Sequence, residues 1–86
     1  MPEISRFFGI IIRMRYNDHA PPHFHVHSGG AMATIAVRPL RILEGELPPR
    51  ALGLVIEWAA LHQEELLLDW NLARAQLPLR KVEPLV

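Results

Sequence analysis

The chain of 86 residues contains no cysteine. Disulfides, thiolate metal sites and cysteine nucleophiles are therefore excluded, and the composition suits a reducing compartment such as the cytoplasm. Acidic and basic residues number nine each, so the formal net charge of zero gives no sign of a nucleic-acid partner. A long apolar run is also lacking, because FFGIII is too short for a signal peptide or a membrane span. We expect a cytoplasmic protein without membrane contact that folds as one domain over residues 1–86.

The charges are unevenly distributed along the chain. Up to residue 43, five arginines face two acids, whereas from residue 44 onward seven acids face four basic residues. The first half is therefore cationic, and it is the half in which side chains that bind anions are expected.

The hydrophobic pattern of the first half predicts an antiparallel sheet of three to four strands. The predicted strands cover residues 7–16, 22–28, 31–38 and 40–44. Alternation puts Phe24 and Val26 on the inner face of the second strand. The same alternation puts His23, His25 and His27 on its outer face, and a slip of one residue in register would exchange the two faces.

In the second half the apolar residues recur at helical spacing. The pattern is interrupted near His62 and predicts two helices, residues 49–62 and 64–76, or one helix kinked at that point. Trp58 and Trp70 fall on the apolar stripe and are expected in the core or at an interface and not at a ligand. The segment after the helices is expected to add an edge strand or to lie across the fold. A sheet followed by helices packed on one of its faces is an α+β fold.

The stretch NDHAPPHFHVH places four of the five histidines within residues 17–27. On the outer face of the predicted sheet, His23 and His25 would lie beside Arg13 and Arg15 of the first strand. Guanidinium groups bind phosphate through paired hydrogen bonds. The predicted phosphate-binding or nucleic-acid-binding arginines are Arg13, Arg15, Arg38 and Arg41.

Three interpretations of this segment are compatible with the sequence. In the first, His19, His23 and His25 are general acid and base groups that cleave RNA without a cofactor, and Asp18 orients His19. In the second, the same three histidines hold a transition-metal ion. In the third, the histidines are only the polar half of an amphipathic strand and have a structural role.

Four segments of the chain together resemble the bacterial domain-of-unknown-function family 4160: MPEISRFFGIIIRMRYNDHAPPHFHV, ILEGELPPRAL, EWAALHQEELLLDWNLA and PLRKVEPL. The family's signature, which resembles N-D-H-x-P-P-H-F-H, is matched from Asn17 to His25. A second signature, from Leu43 to Pro48, looks structural, and Gly45 is expected to turn the chain between sheet and helix. The resemblance implies small proteins that are frequently encoded beside a second small gene, as in type II toxin–antitoxin pairs.

The motif and the resemblance together predict a toxin-like component of a two-gene system that acts on RNA or the translation machinery. Its expected partner is the small, antitoxin-like protein encoded by the neighbouring gene, and a homo-oligomer is left open. One alternative is a non-enzymatic binding or regulatory module whose outer sheet face docks nucleic acid or an acidic protein. Another is a small histidine-rich metal-binding protein.

Overall fold

The computed structural model describes all residues from 1 to 86, and it confirms the α+β class. Five antiparallel strands form one sheet in sequential order, one strand more than the sequence pattern predicted at most, and two helices follow. The strands are β1 Glu3–Phe7, β2 Ile10–Arg13, β3 His23–Ser28, β4 Ala31–Val37 and β5 Leu40–Glu46, and the helices are α1 Pro49–Leu61 and α2 Gln63–Arg74. Neither helix is long and apolar enough to cross a membrane.

The first predicted strand, residues 7–16, spans the last residue of β1, a turn and β2, while residues 14–16 lie in the following loop and β1 begins earlier, at Glu3. Phe8 and Gly9 join β1 to β2, and both have a positive φ, 50° and 76°. A two-residue turn with positive φ at both positions matches the twist of the strands that it joins. The continuous apolar letters of FFGIII hid this turn, because Phe8 occupies a backbone region that side chains other than glycine seldom adopt.

The two faces of β3 are those that the alternation predicted. Phe24 and Val26 are completely buried on the inner face, and His25 lies opposite Arg13 of β2 and Thr34 of β4 on the outer face. The register therefore did not slip: His25 and His27 are half-buried on the outer face, whereas His23, at the start of the strand, is buried beside Trp70.

Strand β5 is longer than predicted and runs to Glu46 instead of residue 44. The expected turn at Gly45 was wrong, since Gly45 lies inside this strand with φ +78°. A Cβ atom at this position would collide with the carbonyl oxygen of Met32 on β4. The glycine is therefore needed for the close approach of two strands and not for the exit from the sheet.

The helices separate at His62, as the interrupted stripe predicted, and they bury their apolar faces against the inner face of the sheet. Trp58 is fully buried, and its ring packs against Phe7 and Phe24. Trp70 is buried on α2. Both tryptophans thus belong to the core.

The C-terminal segment lies across the fold. The backbone N–H of Val82 donates to the carbonyl oxygen of Ile4 at 2.8 Å, and the indole N–H of Trp58 donates to that of Glu83 at 2.7 Å. Only one backbone bond joins the segment to β1, so it covers the edge of the sheet without adding a strand.

Candidate functional site

The loop between β2 and β3, residues 14–22, carries Asp18 to the beginning of β3. The N–H of Asn17 donates to the carbonyl oxygen of Ala73 on α2 at 3.2 Å, and the N–H of Val37 donates to that of Pro22 at 3.0 Å. Asn17 has φ 55°, a region that asparagine tolerates better than most residues. These bonds fix both ends of the segment from Asn17 to Pro22, which carries the Asp18 carboxylate.

Asp18, His23 and His25 form a compact cluster, called here the Asp18 cluster. The Oδ2 atom of Asp18 lies 2.8 Å from Nε2 of His23 and 3.4 Å from Nε2 of His25. One candidate ligand atom from each residue lies within 4.8 Å of the other two. Alternation along β3 places both rings on one face, and the proline-containing loop places the carboxylate between them.

The other nitrogen of each ring is also held. Nδ1 of His23 lies 2.8 Å from the carbonyl oxygen of Pro21, which can only accept, so this nitrogen is the donor. Nδ1 of His25 lies 3.3 Å from the hydroxyl of Thr34. Both imidazoles are therefore oriented so that their Nε2 atoms point at the same carboxylate oxygen.

The cluster has its own electrostatics. Burial raises the pKa of Asp18, but the hydrogen bond from the backbone N–H of His19 and the hydrogen bonds shared with the rings of His23 and His25 outweigh it and lower the pKa to about 2. Burial also lowers the pKa of His25, and the charge of Arg15 adds to this, whereas the hydrogen bond to Asp18 opposes it. Near neutral pH the carboxylate is ionised and the His25 ring is mainly neutral.

The two histidines differ in their surroundings. His23 is 8% exposed, and its ring centroid lies 5.0 Å from the Trp70 ring and 5.2 Å from the His25 ring. His25 is half-buried and borders two open cavities on the outer side of the sheet. His23 is thus the inner member of the cluster and His25 the member that a ligand can reach.

The larger of these cavities, called here the Asp18 cleft, has a volume of about 350 Å³. All three cluster residues line it, together with Arg15, His19, Thr34 and Glu44. A second cavity of about 240 Å³ shares Arg15, His25, Thr34 and Glu44 with it and also reaches His27. His25 therefore lies on a continuous open surface, with space for water or a ligand beside the cluster.

The structure does not bring His19 into the cluster. Its backbone N–H donates to Oδ1 of Asp18 at 2.8 Å, while its side chain is exposed at the Asp18 cleft. The expected role of Asp18 in orienting the His19 ring was therefore wrong, because its Oδ2 atom faces the two histidines of β3 instead.

The predicted arginines are dispersed. Arg15 lines the Asp18 cleft, and Arg13 lies half-buried opposite His25. Arg41 lies on β5 opposite Ala36, away from the cleft lining, and Arg38 pairs with Glu64 of α2 at 3.0 Å. Of the four, only Arg15 borders the cleft.

The sequence predicted a cationic outer face, but the structure also places acidic side chains on it. Because β5 extends to residue 46, Glu44 lies opposite Thr34 and Glu46 opposite Met32 on this face. Sequence reasoning missed both glutamates and also the carboxylate's position between the histidines. The spacing D-x₄-H-x-H, with a proline turn inside it, was the signal that could have predicted the position of Asp18 between the two histidines.

The family model described as Domain of unknown function (DUF4160) matches residues 9–71 of the chain. The matched range contains the whole Asp18 cluster and confirms the resemblance found in the sequence. Neither the curated proteins nor the solved structures compared with the chain give a match.

Proposed function

This chain belongs to the DUF4160 family, and from its site we propose that it is a toxin-like component of a two-gene system that cleaves RNA at the Asp18 cleft. Its partner would be the small antitoxin-like protein encoded by the neighbouring gene. The family resemblance supports the genetic arrangement, and the site supports the chemistry.

One observation carries the proposal: the two Nε2 atoms of His23 and His25 converge on one carboxylate beside an open cleft. A purely structural ion pair that anchors the loop would need only His23, which is buried and lies at 2.8 Å. His25 adds a second imidazole that borders the open cleft, and Arg15 supplies a cation at the same cleft. Imidazole, carboxylate and guanidinium are groups suited to proton transfer and to holding phosphate.

The reaction that fits these groups is transesterification within RNA. The ribose 2′-oxygen forms a bond to phosphorus, and the bond from phosphorus to the 5′-oxygen of the next nucleotide breaks. The proton of the 2′-hydroxyl goes to a base at the cluster, and the leaving 5′-oxygen receives a proton from water or an imidazole. The products are a 2′,3′-cyclic phosphate and a 5′-hydroxyl, and no oxidant or reductant is required.

The test is RNA cleavage by the purified chain, with translation in an extract as a second readout. We expect cleavage by the wild type and a loss of about 10²-fold or more in H25Q and D18N. H27Q is the matched control, since His27 lies on the same face of the same strand outside the cluster. Absence of cleavage and of translation inhibition, with and without the neighbouring gene product, would reject the proposal, as would full activity in H25Q.

A second candidate function, a binding or regulatory module, is favoured by the open edge of β5. This strand is the last in the sheet and has one neighbour, β4. Met32, 60% exposed on β4, lies next to that edge on the outer face. An unpaired edge can accept a strand from a partner. For such a module, H23Q and H25Q should preserve association with the partner protein, whereas M32E, next to the β5 edge, should weaken it.

A further inference from the structure

The geometry points to a metal site: we propose that Asp18, His23 and His25 bind one divalent transition-metal ion through Oδ2 and the two Nε2 atoms. The ion would be the cofactor of the proposed RNA cleavage, and in that respect the inference rests on the proposed function. Binding of the ion itself can be measured without any activity.

The hydrogen-bond chemistry of His23 is the first argument. Its Nδ1 must donate to the carbonyl oxygen of Pro21, so a neutral ring has only a lone pair at Nε2. That lone pair points at an ionised carboxylate oxygen 2.8 Å away, which also can only accept. Either a second proton or a cation must lie between these two atoms. A cation satisfies His23 and His25 at the same time, because both Nε2 atoms share this oxygen as their neighbour.

The spacing of the ligand atoms is the second argument. Ligands about 2.0–2.1 Å from a zinc-sized ion are ~3.3 Å apart in a tetrahedron and ~2.9 Å apart in an octahedron. The separations from Asp18 Oδ2, 2.8 Å to His23 and 3.4 Å to His25, span these two values. The two Nε2 atoms lie within 4.8 Å of each other, so one ion comes within reach of all three atoms once the side chains adjust. The set of two histidines and one carboxylate leaves coordination positions open.

The neighbours of the three ligands form the third argument. Histidines that bind metals usually donate their second ring N–H to a carbonyl, carboxylate or water, which fixes the ring. Here the carbonyl of Pro21 and the hydroxyl of Thr34 occupy those positions. The free Asp18 oxygen accepts the backbone N–H of His19 at 2.8 Å. Each of the three potential ligands is thus held by an additional hydrogen bond through the atom that does not face the proposed ion.

Charge is the fourth argument. The formally charged side chains that line the Asp18 cleft, apart from histidines, are Arg15, Asp18 and Glu44, a sum of minus one. Such a cleft attracts a cation, and a phosphodiester would bind there more strongly with a cation present. A bound divalent ion would change that sum to plus one, and the cleft could then accept phosphate next to Arg15.

The same geometry disfavours the metal-independent acid–base pair expected from the sequence. Two imidazoles that flank a phosphate must each present a nitrogen to open space. Instead, both Nε2 atoms face Asp18, and both Nδ1 atoms have partners in Pro21 and Thr34. A divalent ion held by Asp18, His23 and His25 would supply Lewis-acid chemistry at the cleft, by activating water and by neutralising phosphate oxygens.

The experiment is calorimetric titration of the full chain with Zn²⁺ and with Co²⁺, after removal of any purification tag and treatment with chelator. We expect one ion per chain, and an affinity reduced at least tenfold in H25Q and D18N. T34V should weaken binding less than H25Q, because Thr34 only positions the ring. H27Q is the control and should bind as the wild type does, and circular dichroism reports whether each variant is folded.

Trp70 supplies a local readout that does not depend on stoichiometry. Its ring lies 5.0 Å from His23, so Co²⁺ in the cluster should quench its fluorescence, and W70F should lose that part of the quenching. Saturable quenching that H25Q weakens and H27Q leaves unchanged supports the site. Failure of both ions to bind the wild type overturns the inference, as does binding that H27Q abolishes while H25Q and D18N retain it.

The two proposals fail in different ways. Metal binding without RNA cleavage would reject the proposed function and leave the metal site standing. RNA cleavage that persists in excess chelator, by a chain that binds neither ion, would retain the proposed function and reject the metal site.

Discussion

At Gly45, both the backbone conformation and the packing require a residue without a side chain. Its φ of +78° disfavours any side chain, and a Cβ would collide with the Met32 carbonyl. We expect G45A to lower the free energy of unfolding by at least about 1–3 kcal/mol, measured by urea denaturation. G53A is the matched control. Gly53 lies in α1 with open space around it, so alanine there should stabilise the protein by about 0.5–1 kcal/mol. Equal effects of the two substitutions would contradict this explanation.

Asp69 is a buried carboxyl in α2 that anchors the C-terminal segment. Its Oδ1 accepts the backbone N–H of Arg80 at 2.9 Å, and its Oδ2 has no partner within the protein. Burial raises the pKa of Asp69, and the nearby charge of Glu65 also raises it, whereas the bond from Arg80 opposes the shift.

The raised pKa of Asp69 predicts a pH-dependent stability. The folded state keeps the proton of Asp69 to a higher pH than the unfolded state does, so this group's stabilising contribution is lost as pH rises through the folded pKa. D69N cannot titrate and retains the acceptor for Arg80. We therefore expect D69N to gain stability relative to the wild type between pH 4 and pH 7, measured by urea denaturation at both values. A difference that does not change with pH would show that Asp69 is not the titrating group.

Asp18 shows why a site can be harder to predict than the residues that form it. The sequence identified Asp18, His23 and His25 as candidates, because strand alternation decides which face each histidine occupies. The position of Asp18 depends on long-range bonds, from Asn17 to α2 and from Val37 to Pro22, which no local pattern encodes. The sequence therefore identified the residues of the cluster as candidates but could not predict that the tertiary structure brings them together.

At the scale of elements, hydrophobic periodicity correctly predicted the strands and helices whose amphipathic pattern is clear. Strand β3 and the break at His62 were expected, because alternation and a helical stripe are both strong there. The β1–β2 turn was missed because Phe8 has positive φ in the middle of an apolar run. The end of β5 was missed because Gly45 looks like a turn residue when its contact with β4 is unknown.

The C-terminal segment is an element without regular structure that nevertheless completes the core. Val82 is buried among the core residues, whereas Val86 is 94% exposed. We expect V82A to destabilise the protein by about 1.5–2.5 kcal/mol, because two buried methyl groups and their packing are lost. V86A removes the same atoms from water and should change stability negligibly. Thermal denaturation of both variants checks this, and equal melting temperatures for V82A and V86A would show that the segment is not part of the core.

At the scale of the whole molecule, the hydrophobic core and the candidate site lie on opposite faces of the sheet. The helices cover the inner face of the sheet, and the outer face carries the Asp18 cleft. The α2 helix links the two, since Ala73 accepts the N–H of Asn17 in the loop and the Trp70 ring contacts His23. A small core thus supports a site built on β3 and one loop.

The most direct test of the metal centre is anomalous diffraction from crystals of the full chain grown with Zn²⁺, recorded at the zinc absorption edge. We expect one strong peak about 2.0–2.2 Å from Asp18 Oδ2 and from Nε2 of His23 and His25. A peak only at His19 or His27, or an unoccupied Asp18 cluster in crystals grown with excess zinc, would contradict the assignment.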